Sequence, residues 1–156
     1  MVTLPRTTKC IVVQQSKNTA ASPSHFLYDS CLVERPLPAP KHHEVVVKIG
    51  AAGFNQKEIW IRRGLYPGIK VGAVYGTDGA GTVVASGMPN DTFIDKRVML
   101  LPMRGWHSDP RAPETRFGTI GGGSFPPLGS FAEYVVVHRD QVIETSEHLD
   151  DVHAAA

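Results

Sequence analysis

Along this chain, apolar and polar residues alternate in short runs that proline or glycine closes, and helical spacing is rare. Cys10, Ile11, Val12 and Val13 lie between Lys9 and a polar stretch reaching Ser24, which predicts a strand over residues 9–15 followed by a turn. Residues 26–33 are its expected partner strand. Pro36, Pro38 and Pro40 cannot donate to a central ladder, so residues 34–40 read as an extended connector. The clearest strand signal covers residues 44–52, where Val45, Val47 and Ile49 alternate with Val46 and Lys48. The period then changes. Ile59 follows Asn55 by four positions with Trp60 beside it, and Gly64 stands where a helix would end, which predicts one or two helical turns over residues 55–63. A loop over residues 64–68 carries Tyr66. Further strands are expected at residues 96–101, 131–137 and 141–143. Asp150 is suited to cap a helix over residues 151–156, read as part of an element that continues in a longer protein.

Two segments break the alternation. Residues 76–84 read GTDGAGTVV, and their glycines lead into the β-branched Thr82, Val83 and Val84. A phosphate-cradling glycine loop aims backbone N–H groups and a helix N-terminus at the anion, so helical sequence must follow it. Here Gly76, Gly79 and Gly81 instead predict positive φ or close approach of another segment, ahead of a strand that turns at residues 87–91. Residues 102–127 hold five prolines, three consecutive glycines, Trp106, Phe117 and Phe125, without a sustained period. A loop of that length in a compact domain is usually functional or mobile. The inventory predicts a mainly β protein, a small and partly open barrel with one or two short helices and a truncated C-terminal helix.

Composition narrows the function classes. At 156 residues and 42% hydrophobic, the chain can bury one core. A formal charge of +1 gives no electrostatic reason for nucleic acid or an anionic membrane as partner. Cys10 and Cys31 form no CxxC and suit reduced thiols. No apolar run approaches the roughly 20 residues needed to span a bilayer, so the expected location is cytoplasmic. The seven histidines show no ligand spacing with cysteine or carboxylate; His42 and His43 are adjacent and, on a strand, would point apart.

Four segments in register resemble the N-terminal, GroES-like domain of the medium-chain dehydrogenase/reductase superfamily. They are EVVVKI from residue 44 leading to Asn55, IWIRRGLYPG over residues 59–68, GTDGAGTVV with DKRV at residues 95–98, and GSFAEYVVV over residues 129–137. The chain most resembles the zinc-independent, quinone-oxidoreductase-like branch. That resemblance implies a two-domain protein in which residues 1–156 are the substrate-side domain and a Rossmann domain, absent from this chain, binds NADPH. It places Asn55 near the nicotinamide and the substrate carbonyl, as catalytic and cofactor-facing residue. It places Trp60, Tyr66 and Asp78 at the substrate. In the zinc-dependent branch a cysteine stands at the position of Asn55, and histidine and glutamate follow the glycine equivalent to Gly76. This chain has Asn55, Thr77 and Asp78 there, poor ligands for an ion that prefers thiolate and imidazole, so no zinc is expected. Asp78 replaces the family's usual glutamate, and Glu58 stands where quinone-reductase members usually carry aspartate. Asn55 is also a good helix N-cap, and Trp60 and Tyr66 are equally at home as packing residues.

Three readings follow. In the first, the chain is the substrate wall of an oxidoreductase that passes hydride from NADPH to a quinone, enone or aldehyde-type carbonyl, the small-molecule partner, and no dinucleotide binds tightly to this chain alone. In the second, it is an inert truncated fragment or splice product, whose exposed apolar face leads to self-association or a homo-oligomer. In the third, it is a β-barrel binding module, against which stand the near-neutral charge and the lack of a basic strip interleaved with aromatics.

Overall fold

The computed structural model describes residues 3–17 and 26–156, so the turn expected between the first two strands lies largely outside the described residues. Strands β1 (Thr7–Gln15) and β2 (Tyr28–Pro36) pair antiparallel from Thr7 opposite Pro36 to Gln15 opposite Tyr28. The main sheet has five strands. β3 (Glu44–Gly53) and β4 (Asp78–Ser86) are its centre, and β8 (Tyr134–His138), β5 (Arg97–Leu100) and β9 (Val142–Glu144) complete the order β8-β3-β4-β5-β9. The third sheet is a two-residue pairing of β6 (Met103–Arg104) with β7 (Gly118–Thr119). Isolated bridges from Cys10 to Ala132 and from Val12 to Val74 lay β1 across the main body, giving a partly open barrel. Of the described helices, none is long and apolar enough to cross a membrane.

The alternation read in residues 44–52 sets the core. Val45 and Val47 join Val83, Val98, Val135, Val137 and Ile120 in the largest apolar cluster. Val46, on the face opposite Val45 and Val47, is fully buried as well, so β3 is covered on both faces here. Register shifts after Val46 and after Ile49 bend the strand. Two smaller clusters hold β1 in place. Cys10 and Val12 pack with Val74, and Val13 packs with Ile61 and Tyr75. Both cysteines are free thiols.

Local chemistry terminates the elements as the sequence predicts. Helix α1 (Gln56–Arg62) ends with Gly64 at φ +74°, while Gly64 N–H donates to the Ile61 carbonyl and Leu65 N–H to that of Trp60, the paired bonds of a glycine-terminated helix. Asp150 caps α2 (Asp151–Ala154) by accepting from His153 N–H at 2.8 Å, and Arg97 ties that helix to the sheet through Asp151 and the Leu149 carbonyl. Two expectations are revised. His42 and His43 lie in a turn, with His43 at φ 65° and the two rings edge-on at 4.0 Å, so the strand geometry that would part them does not apply. The long segment after Pro102 is ordered by pairing and by one acceptor. The Glu114 carboxylate takes backbone N–H groups from Asp109, His107 and Ser108 at 2.6, 2.8 and 2.6 Å, which hold its carboxyl well below the usual range.

Asp91 fixes the turn after β4. Burial alone would raise its carboxyl, but Phe93 N–H, Ser86 and Arg139 all donate to it and together hold it below the ordinary value. Asp91→Asn should therefore cost about 2 kcal/mol at neutral pH. A depressed folded-state value gives stability that is present above the unfolded value and lost as pH falls through the folded one. The gap between wild type and Asp91→Asn in urea unfolding should accordingly close below about pH 4. Val47→Ala should cost about 2 kcal/mol, read as a lower urea midpoint at unchanged slope, whereas Lys48→Ala on the exposed side should stay within about 0.5 kcal/mol.

Candidate functional site

Helix α1 and the start of β4 bring the first pair of residues together. Asn55 occupies the N-cap position with an extended backbone, φ −126° and ψ 159°. Its N–H donates to Glu58 Oε2 at 2.7 Å, the reciprocal half of a capping box. Its side chain does something else: Nδ2 donates to Asp78 Oδ2 at 2.5 Å. Asp78 stands opposite Gly53 in the β3–β4 ladder, and its carbonyl accepts from the Ser130 hydroxyl at 2.7 Å. Capping and side-chain presentation are thus served by different atoms of one residue.

Two residues further along, Lys57 reaches inward. Its Nζ donates to the Ile120 carbonyl at 2.6 Å and to Thr119 Oγ1 at 3.1 Å, and it lies 5.1 Å from the centroid of the Tyr66 ring. Burial pushes the Lys57 amine below the ordinary lysine value, partly offset by Glu58 and Asp78. Lys57 and Tyr66 line a cavity of about 260 Å³ whose other walls include Phe117, Thr119 and Phe125. Tyr66 is half-buried there. Trp60 is 43% exposed, lies under the Arg63 guanidinium at 5.5 Å, and does not line this cavity.

A second cavity, about 290 Å³, opens on the other side of α1, where Asn55, Phe54, Ile59 and Phe131 meet Glu58, Arg62 and Tyr75. Among the described residues Glu58 Oε1 and Arg62 Nε are buried without a hydrogen-bond partner, and burial pushes the Tyr75 hydroxyl up to about 12. A third, about 270 Å³, lies along β1 and β8 and shares no residue with the Asn55–Asp78 pair. The structure therefore joins Asn55 to Asp78, joins Tyr66 to Lys57, and leaves Trp60 apart. Lys57 is the residue that sequence reading passed over. Its partners lie 62 and 63 residues away, so no local pattern marks it.

Neither implied group fits the residues in hand. The donors at the zinc-branch positions are an amide, a hydroxyl and a carboxylate, and the amide is already committed to the carboxylate. The glycines of residues 76–81 do not form a dinucleotide cradle. A Cβ at Gly76 would meet Ser130 and Phe131, one at Gly79 would meet Ser130, and one at Gly81 would overlap the Lys48 carbonyl. They are glycines because neighbouring protein fills the space beside them, as the sequence predicted.

Known proteins agree with this architecture. The family described as "Alcohol dehydrogenase GroES-like domain" matches residues 41–147. A curated relative, the zinc-type alcohol dehydrogenase-like protein YogA of Leptosphaeria maculans, is 37% identical over 132 residues, which covers 80% of this chain and 36% of the relative. The chain thus spans about a third of that relative's length. Acetophenone reductase from Geotrichum candidum, solved with NAD, superimposes with a TM-score of 0.77 at 21% identity over 99% of this chain and 44% of that one. A candidate NADPH:quinone reductase from Mesorhizobium loti gives 0.63 at 23% identity over 96% and 40%. Both structural likenesses concern the fold. With more than half of its length matched and its strands in the order described, the chain belongs to the alcohol dehydrogenase GroES-like domain family.

Proposed function

We propose that residues 1–156 form the substrate-side domain of a cytoplasmic, zinc-independent, NADPH-dependent oxidoreductase of the quinone-reductase-like branch, which reduces a quinone, enone or aldehyde-type carbonyl by hydride transfer. The observation that carries this reading is the aromatic cavity between Tyr66, Phe117 and Phe125, of a size and polarity suited to a flat carbonyl compound. Two proteins of the same fold, an acetophenone reductase and a candidate NADPH:quinone reductase, support the substrate class. Asn55 lines the neighbouring cavity on the other side of α1 and not the aromatic one; it hydrogen-bonds the reacting carbonyl where the substrate meets the cofactor, with its amide fixed by Asp78, which accepts from it. Tyr66 supplies a wall, and the exposed Trp60 a rim outside the cavity. The dinucleotide is held by a second domain of a longer polypeptide, because the glycines of this chain are engaged in packing. On its own the chain binds and orients; it does not turn over. Packing of those glycines also favours a second reading, an inert fragment, which differs in predicting that the joined protein is silent.

Calorimetric titration of this chain with NADPH should show no saturable heat. Joined to a downstream dinucleotide-binding domain, it should oxidise NADPH in the presence of an aldehyde, enone or quinone. Asn55→Ala should then lower kcat/KM about tenfold, or about 1.4 kcal/mol. Unchanged rates in Asn55→Ala and Tyr66→Ala would take both residues out of the site, and tight NADPH binding by the chain alone would end the proposed division of labour.

A further inference from the structure

We propose that Lys57 is the oxyanion partner of this domain: the aromatic cavity takes a flat, conjugated carbonyl compound with its oxygen against Lys57 Nζ, and favours the form in which that oxygen bears negative charge. This deepens the carbonyl-reduction reading and rests on it.

The argument begins with donors. An ammonium group has three N–H bonds. At Lys57 one is taken by the Ile120 carbonyl and one by Thr119 Oγ1, both neutral acceptors. No ion pair among the described residues includes Lys57. The two carboxylates that influence it are engaged elsewhere, since Glu58 Oε2 accepts from Asn55 N–H and Asp78 Oδ2 from the Asn55 amide. A third N–H and a positive charge without a contact counter-ion therefore remain at the cavity wall.

The surroundings make that charge effective. Tyr66 covers one side, and Phe125 forms another wall, with the guanidiniums of Arg116 and Arg104 at 4.2 and 5.6 Å from its ring centroid. No carboxylate lines the cavity. The Lys57 amine is itself partly desolvated, and a fixed, partly desolvated cation stabilises developing negative charge more than a fully solvated one does. Preorganisation is built in, because the bonds to Ile120 and Thr119 hold Nζ before any ligand arrives. The lowered proton affinity of the amine agrees with a desolvated cation that gains from an anionic oxygen.

The test uses this chain and a probe whose charge is visible. 4-Nitrophenol ionises to a yellow phenolate, and 4-nitroanisole has the same ring with no ionisable oxygen. At a pH where the free phenol is half ionised, adding the wild-type chain should drive the bound probe to phenolate, seen as increased visible absorbance. The phenolate should bind at least tenfold tighter than 4-nitroanisole. Lys57→Met and Lys57→Gln should retain 4-nitroanisole while bringing the two affinities within about twofold. Bound probe that stays a neutral phenol in the wild-type chain overturns the proposal without reference to any variant, as does a phenolate preference that survives in both variants. In either case binding of 4-nitroanisole leaves the carbonyl cavity standing. Failure of both probes to bind overturns the proposal and removes this cavity from the functional reading above.

Discussion

Everything in this domain is registered by one place where three backbone segments come too close for side chains. Along residues 76–81 the chain passes between β3 and the segment at Ser130 and Phe131, and a Cβ at Gly76 or Gly81 would occupy space held by backbone or side-chain atoms of those neighbours. Gly76 also takes φ +90°, which a residue with a Cβ adopts only at a cost. That passage fixes where β4 begins, hence where Asp78 stands opposite Gly53, and so which way the amide of Asn55 points. The chemistry at α1 is downstream of a packing constraint in glycine-rich backbone.

Much of this was legible in the sequence because it is local. Alternation in residues 44–52 marked the central strand, Gly64 marked the end of α1, and Asp150 marked the start of α2, each through contacts within a few residues. The glycines of residues 76–81 were readable as packing glycines because β-branched residues follow them. What escaped depends on distant partners. Nothing near Lys57 announces that its amine will be fastened to Thr119 and Ile120, and nothing near His42 reveals a turn set by the backbone of His43 at positive φ. Period placed Val46 on the same face as Lys48, and it is covered, because period reports which face a residue shares and not what packs on it.

Electrostatics divide the molecule into parts with different tasks. Asp91 with Arg139 and Ser86 is structural, a buried carboxylate fully provided with donors that closes the turn beyond β4. The group around α1 is incompletely provided. Lys57 has neutral acceptors only, and Glu58 Oε1 and Arg62 Nε have no hydrogen-bond partner among the described residues. Buried polar groups without full partners are costly to fold and are therefore informative about where a protein meets something else.

The segment carrying Trp106 and Phe117 has an architecture of its own. A single carboxylate, Glu114, gathers three backbone N–H groups, and Trp106 sets its ring edge-on to Phe117 at 5.8 Å. The short β6–β7 pairing closes the two ends of that segment, together with backbone bonds from Ile120 N–H to the Pro102 carbonyl and from Thr115 N–H to that of Gly105. Phe117, where the segment re-enters β7, contributes a wall of the cavity, while the segment adds no strand to the five-stranded frame. Frame and lining are consequently separable: residues 105–117 can diverge in length and composition to admit ligands of other shapes, and the valine core beneath them registers no change.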